Sequence, residues 1–162
     1  MANHKLLIDE FDEIDYELIA IHTTLEDFRL AYFVNKILKT NLNKTNQEIQ
    51  INSKNGEAFF SSYKYDDLET NIQWSLIQNK SETSYEKKDI NTSLFANTKL
   101  DLSTKVYFLP EFKKIDYFLK IDNAEDNLNI DKVIALLNSI KRIATVYPID
   151  FDTIKNKNNL IF

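Results

Sequence analysis

A chain of 162 residues with a single glycine, Gly56, has given up most of the places where a backbone can enter positive φ or press closely against a ligand. Phosphate-cradling loops of the Walker or dinucleotide type are therefore excluded, because each needs two or three glycines at fixed offsets. The glycine that remains follows Asn55, and Asn-Gly is the strongest short hairpin signal. It predicts a register in which Lys54 pairs with Glu57, Ile51 with Phe60 and Ile49 with Ser62.

That hairpin is expected to open a three-stranded antiparallel meander. A second turn at Asp66-Asp67 returns the chain through residues 70–78, where Ile72, Trp74 and Leu76 alternate with Gln73 and Ser75 in the period of a half-buried strand. Upstream, residues 4–11 and 17–22 read as two strands joined by an acidic turn. A helix follows, capped by Thr23 or Thr24 with Glu26 or Asp27 three residues on. Leu25, Phe28, Tyr32, Ile37 and the run 30–34 make this helix apolar over most of its circumference, so it is expected to lie against a sheet.

Downstream, residues 79–101 are polar apart from Leu94-Phe95, and the stretch around 80–101 reads as a mobile loop. Strands are expected at 105–109 and 115–121, the second central because it is apolar on both faces. Asn129 then caps an amphipathic helix carrying Ile130, Val133, Ile134, Leu137 and Ile140, and a strand from 142 to 147 ends at Pro148. The starts of the two strand-helix-strand units resemble each other, residues 15–18 against 116–119, too briefly to establish duplication. The sum is one α+β domain over residues 1–162: a mostly antiparallel sheet of about six to eight strands with two main helices packed on one face.

The formal charge of −5 is unevenly divided. Residues 1–27 hold eight acids and only Lys5 as a base, a charge of −7, and the remainder carries +2. The cluster Asp9, Glu10, Asp12, Glu13, Asp15 and Glu17 fits the solvated face of a hairpin, where acids discourage edge-to-edge pairing. It also offers a surface to a basic partner, and it makes nucleic acid an unexpected one. A hydrophobic fraction of 43% excludes a disordered chain. The absence of cysteine excludes disulfide and thiolate chemistry. No apolar run approaches a membrane span and the first residues lack a secretory pattern, so the expected location is cytoplasmic.

Few residues suggest chemistry. His4 and His22 would meet if residues 4–11 paired with 17–22, and Glu26 would be the third ligand of a metal site there, yet two imidazoles alone do not make one. The serines lie outside any nucleophile motif. Tyr63, Lys64, Tyr65 and Trp74 are read as core or cross-strand pairs in preference to a base-stacking surface. The sequence calls for no cofactor and no catalytic residue.

Residues 109–121, Leu-Pro-Glu-Phe-Lys-Lys-Ile-Asp-Tyr-Phe-Leu-Lys-Ile, resemble the signature of the IPExxxVDY family, small uncharacterised proteins of Bacteroidota; Leu109 stands for its Ile and Ile115 for its Val. Residues 18–38 and 157–162 also resemble that family. The resemblance brings a motif and no activity. Physically, Pro110 closes a strand, and Glu111 and Asp116 are expected to bond backbone or a lysine. An aspartate in an apolar strand needs a partner, and Arg29 on the first helix is the expected one. Pro110, Glu111, Asp116, Tyr117, His22 and Arg29 are thus the candidate binding residues. The function expected is non-catalytic: binding to a protein partner or to itself, a homodimer included, through a sheet edge or the apolar tail Leu160-Ile161-Phe162. A small-ligand sensor and a metal-dependent enzyme around His22 are the alternatives.

Overall fold

The computed structural model describes residues 15–54, 56–86, 101–124 and 127–162. The strand expected at 4–11, most of its acidic turn and the His4 contribution to a metal site lie outside these residues. The fold is α+β, as expected. Six antiparallel strands form the main sheet in the order β10-β1-β9-β6-β5-β2: β1 is Tyr16–Thr23, β2 Asn43–Lys44, β5 Ser62–Asp67, β6 Ile72–Gln78, β9 Tyr117–Asp122 and β10 Ile143–Pro148. Two separate hairpins complete it, β3 (Ile49–Ser53) with β4 (Gly56–Phe60) and β7 (Lys80–Glu86) with β8 (Asp101–Tyr107). The helices are α1, Asp27–Leu38, and α2, Ile130–Asn138.

Period-2 alternation divides the sheet's side chains between two cores. Ile19, Ile21, Leu76, Leu119, Ile121 and Trp74 face α1 and α2, meeting Leu30, Val34, Val133 and Leu137. The opposite residues, Leu18, Ala20, Ile77 and Phe118, meet Phe60, Phe108, Leu109 and Leu160 from the hairpins and the C-terminal segment. Phe60, Phe108 and Phe118 are fully buried, and each contributes about 1.5–3 kcal/mol by leaving water. β9 is central, flanked by β1 and β6, which is the position that its two apolar faces predicted. Tyr65 sits opposite Trp74 and Tyr63 opposite Leu76, so these aromatics are cross-strand pairs.

Four expectations are corrected. The first hairpin pairs Ile49 with Phe60, Ile51 with Ala58 and Ser53 with Gly56, two residues short of the expected register. A shift of two leaves the same side chains on the same face, so burial is indifferent to it. Gly56, at φ 121°, serves as a pairing residue after the corner, and at Ser61 the chain leaves this hairpin: its carbonyl accepts from the Gln78 N–H, so Ser62 starts a strand of the main sheet. The expected meander is thereby split in two. Residues 80–86, assigned to a mobile loop, form β7, because they pair residue for residue with β8 in a two-stranded ribbon; residues 87–100 lie outside the described set. The Thr23 hydroxyl, expected to cap α1, donates to the Arg142 carbonyl and accepts from the Leu25 N–H, because Thr23 is still paired in β1; the cap position falls on Glu26, with no side-chain bond. The short likeness between residues 15–18 and 116–119, too brief to establish duplication, has no structural counterpart: Tyr16 contacts Phe151 beside the second core while Tyr117 lies in the helix-side core.

Asn129 caps α2 as expected, its side chain accepting from the Lys132 N–H. Among the described residues, no helix is long and apolar enough to cross a membrane.

Candidate functional site

The signature stretch is organised by a residue outside it. Asn79, between β6 and β7, is 0% exposed, and its side chain makes three bonds at hydrogen-bonding distance: Oδ1 accepts from Leu109 N–H at 3.0 Å, and Nδ2 donates to the carbonyls of Phe112 at 2.9 Å and Ile115 at 2.8 Å. Its backbone N–H donates to the Asp116 carbonyl and its own carbonyl accepts from Phe108 N–H. A turn without regular ladder bonds must satisfy its backbone some other way, and Asn79 does so here. Pro110 begins a 3-10 turn, Pro110–Phe112, at a position where its missing N–H has no bond to forgo.

The polar residues of the stretch point inward to other backbone. Glu111 accepts from the N–H groups of Lys155 at 2.7 Å and Asn156 at 2.9 Å, and from the Asn156 side chain at 2.8 Å. Burial pushes its carboxyl up, but these donors outweigh that and hold it below the usual carboxylate range. Glu111 thus tethers the C-terminal segment, whose Leu160 is buried in the second core and whose Phe162 ring packs edge-on to Phe108 at 6.3 Å, with Lys64 Nζ 4.6 Å from its centroid. Leu160 and one side of Phe162 are thus docked on the chain itself, while Ile161 is 80% exposed.

Asp116 and Tyr117 grip the corner between β1 and α1. Asp116 Oδ2 accepts from the Thr23 N–H at 2.9 Å, and Oδ1 accepts from Lys80 Nζ at 2.7 Å. The expected partner Arg29 is therefore wrong: the Asn79–Asp116 backbone bond brings residue 80 alongside β9, whereas Arg29 leaves the first turn of α1 on its outer side, 5.9 Å from the Phe28 ring centroid. The Tyr117 hydroxyl donates to the Leu25 carbonyl at 2.8 Å. Burial, with the charges of Asp27 and Asp116, pushes this phenol well above its usual range, so it stays a donor at every ordinary pH.

What the corner presents is an aromatic and cationic surface. α1 lies against the sheet, as expected, through Leu30, Ala31 and Val34, while Phe28 and Tyr32, one turn apart on a second stripe, are 56% and 60% exposed. Leu25, Phe28, Arg29, Tyr32, Phe33 and Arg142 line a groove of about 690 Å³. It continues past Phe33 and Arg142 into a second hollow of about 470 Å³, where Lys36, Ile37, Ile140 and Lys141 join the wall. Both arginines of the chain are here, and among the described residues no carboxylate lines either part. The apolar residues over most of the circumference of residues 25–37 were the signal for this face; Arg142, more than a hundred residues away, was not signalled.

His22 lies at the edge of this region, stacked on Tyr147 at 5.5 Å between centroids, with Nε2 2.9 Å from the Tyr147 hydroxyl. Among the described residues no three His, Asp or Glu side chains gather to hold a metal ion. The sheet edge offers little. The Asn138 side chain bonds both the N–H and the carbonyl of Val146, Pro148 two residues on has no N–H, and the opposite edge, β2, is two residues long. Of the six candidate residues, Asp116 and Tyr117 secure the corner that His22 and Arg29 flank, whereas Glu111 tethers the C-terminal segment and Pro110 starts the 3-10 turn before it. Searches against family models, curated proteins and solved structures find no match to this chain.

Proposed function

We propose that this protein is a non-catalytic, cytoplasmic binding module of the IPExxxVDY type that engages protein through the outer face of α1. The observation that carries the reading is the pair Phe28 and Tyr32, held in water beside Arg29 and Arg142 on a helix whose entry is fixed by Asp116 and Tyr117. Aromatic and arginine side chains are the ones that dominate binding energy at protein interfaces, and leaving two large rings exposed on a rigid helix has no benefit to the isolated fold. The capped edge at Val146 favours this face over strand addition. The family part of this reading rests on the resemblance of residues 109–121, 18–38 and 157–162 alone.

The test is a photo-crosslinking side chain at position 32, compared with the same group at Leu68, which is 92% exposed on a turn elsewhere. Adducts are expected at position 32 in cells, and they should disappear when Arg29→Glu and Arg142→Glu are added. Equal yields at both positions would overturn the reading.

A further inference from the structure

The groove's wall has a chemistry that narrows its occupant. Among the described residues, Arg29, Arg142, Lys36 and Lys141 line it with no carboxylate between them, although the chain as a whole is acidic at −5. Between them lie apolar surfaces from Leu25, Phe28, Tyr32, Phe33, Ile37 and Ile140. The complementary ligand is a peptide that alternates carboxylates with apolar anchors. Residues 6–15 of this chain, Leu-Leu-Ile-Asp-Glu-Phe-Asp-Glu-Ile-Asp, have that composition, with five carboxylates, five apolar side chains and no base.

Building on the docking face put forward above, we propose that the groove receives residues 6–15 of a second copy of the chain, in a reciprocal homodimer. Chain length argues for the second copy. Residue 15 precedes Tyr16 at one end of β1, and the groove lies beyond Thr23 at the other, seven residues on, or about 23 Å at ~3.3 Å per residue. Doubling back over that distance within one chain takes at least residues 9–15, the stretch that bears all five carboxylates. The acids would lie along the path and only residues before Asp9 would reach the arginines. A second copy meets no such constraint, and two identical exchanges related by a twofold axis close the assembly.

The experiment uses the full chain and charge exchange. Light scattering after size exclusion should give twice the 19.1 kDa chain mass, with the dimer weakening as salt rises. Reversing the groove (Arg29→Glu, Arg142→Glu) or the segment (Asp9→Lys, Glu10→Lys, Asp12→Lys, Glu13→Lys) should each weaken the dimer by at least about 100-fold, since each places like charges together. Mixed in equal amounts, the two variants should restore a heterodimer, because each then meets the opposite charge; this recovery also shows that both are folded. A monomeric wild type, a dimer that survives both reversals, or folded variants that fail to pair would overturn the proposal. Should the wild type be monomeric while arginine-dependent adducts still form at position 32, the second copy is refuted and the docking face stands. Should the adducts be absent too, both fall.

Discussion

Replacing Asn79 by alanine tests whether the signature turn is held from within. The side chain satisfies the Leu109 N–H and the Ile115 carbonyl, each of which has it as a partner, while the Phe112 carbonyl keeps the Ile115 N–H as well. Leu109 and Ile115 are 0% and 2% exposed, so the two orphaned groups gain no water. At about 1–3 kcal/mol for each unsatisfied buried group, the loss comes to about 2–6 kcal/mol, a large part of the 5–15 kcal/mol that stabilises a typical domain. With a urea slope of about 2 kcal/mol per molar, the midpoint should fall by roughly 2 M. Asn79→Asp sharpens the test. It keeps an acceptor for Leu109 but turns a carboxylate toward two carbonyls, and burial raises the pKa of that group in the folded state. A raised folded value means the folded form is least disfavoured below the ordinary pKa of about 3.9 and loses ground as pH rises through the raised one. The aspartate variant should therefore be weakest at neutral pH and recover on mild acidification, and the alanine variant should show no such recovery. Urea denaturation of both from pH 4 to 7 gives the answer; an alanine variant within about 1 kcal/mol of wild type would refute the assignment of Asn79 as the turn's organiser.

Glu111→Gln keeps one acceptor oxygen of two and should cost about 1–2 kcal/mol at pH 7. Because the folded carboxyl lies below its ordinary value, the wild-type advantage is present above the unfolded pKa of about 4.3 and is lost as pH falls through the folded one, so the two denaturation midpoints should converge on acidification. Asp116→Asn retains an acceptor for the Thr23 N–H but gives up a part-exposed pair with Lys80, for a loss of no more than about 1 kcal/mol; a larger drop in thermal unfolding would mean that the ion pair matters more than the backbone bond. Asn138→Ala uncovers the N–H and carbonyl of Val146 on the edge of the sheet and should raise static light scattering on storage, with unchanged scattering counting against an edge-guarding role. Phe28→Ala with Tyr32→Ala removes exposed rings and should shift stability by less than about 0.5 kcal/mol; calorimetry showing a loss of several kcal/mol would make these rings part of the core.

Much of the architecture was legible because it rests on short-range chemistry. The period-2 run at residues 72–76 and the two apolar faces of residues 117–121 each became strands of the main sheet, and Asn129 capped its helix. What failed was wherever two local solutions leave the same face buried. Ile51 meets Ala58 or Phe60 without changing which side chains leave water, so the Asn55-Gly56 dipeptide could not choose the register. Likewise, the polar run at residues 80–86 reads as a loop until β8 supplies the partner strand.

The candidate site divides along the same line. That Asp116 would need a partner followed from the cost of burying a carboxylate in an apolar strand; that the partners are Lys80 and the Thr23 N–H depended on the Asn79–Asp116 backbone bond, which brings the start of β7 to Asp116, and on the end of β1 lying alongside it. The sequence by itself determined a single hairpin glycine, two amphipathic helices, an acidic start and a signature whose polar groups had to be satisfied. Tertiary structure alone decided that Arg142 joins Arg29 around Phe28 and Tyr32, because residues 113 positions apart meet only when β10 closes against β1, and no local pattern encodes that pairing.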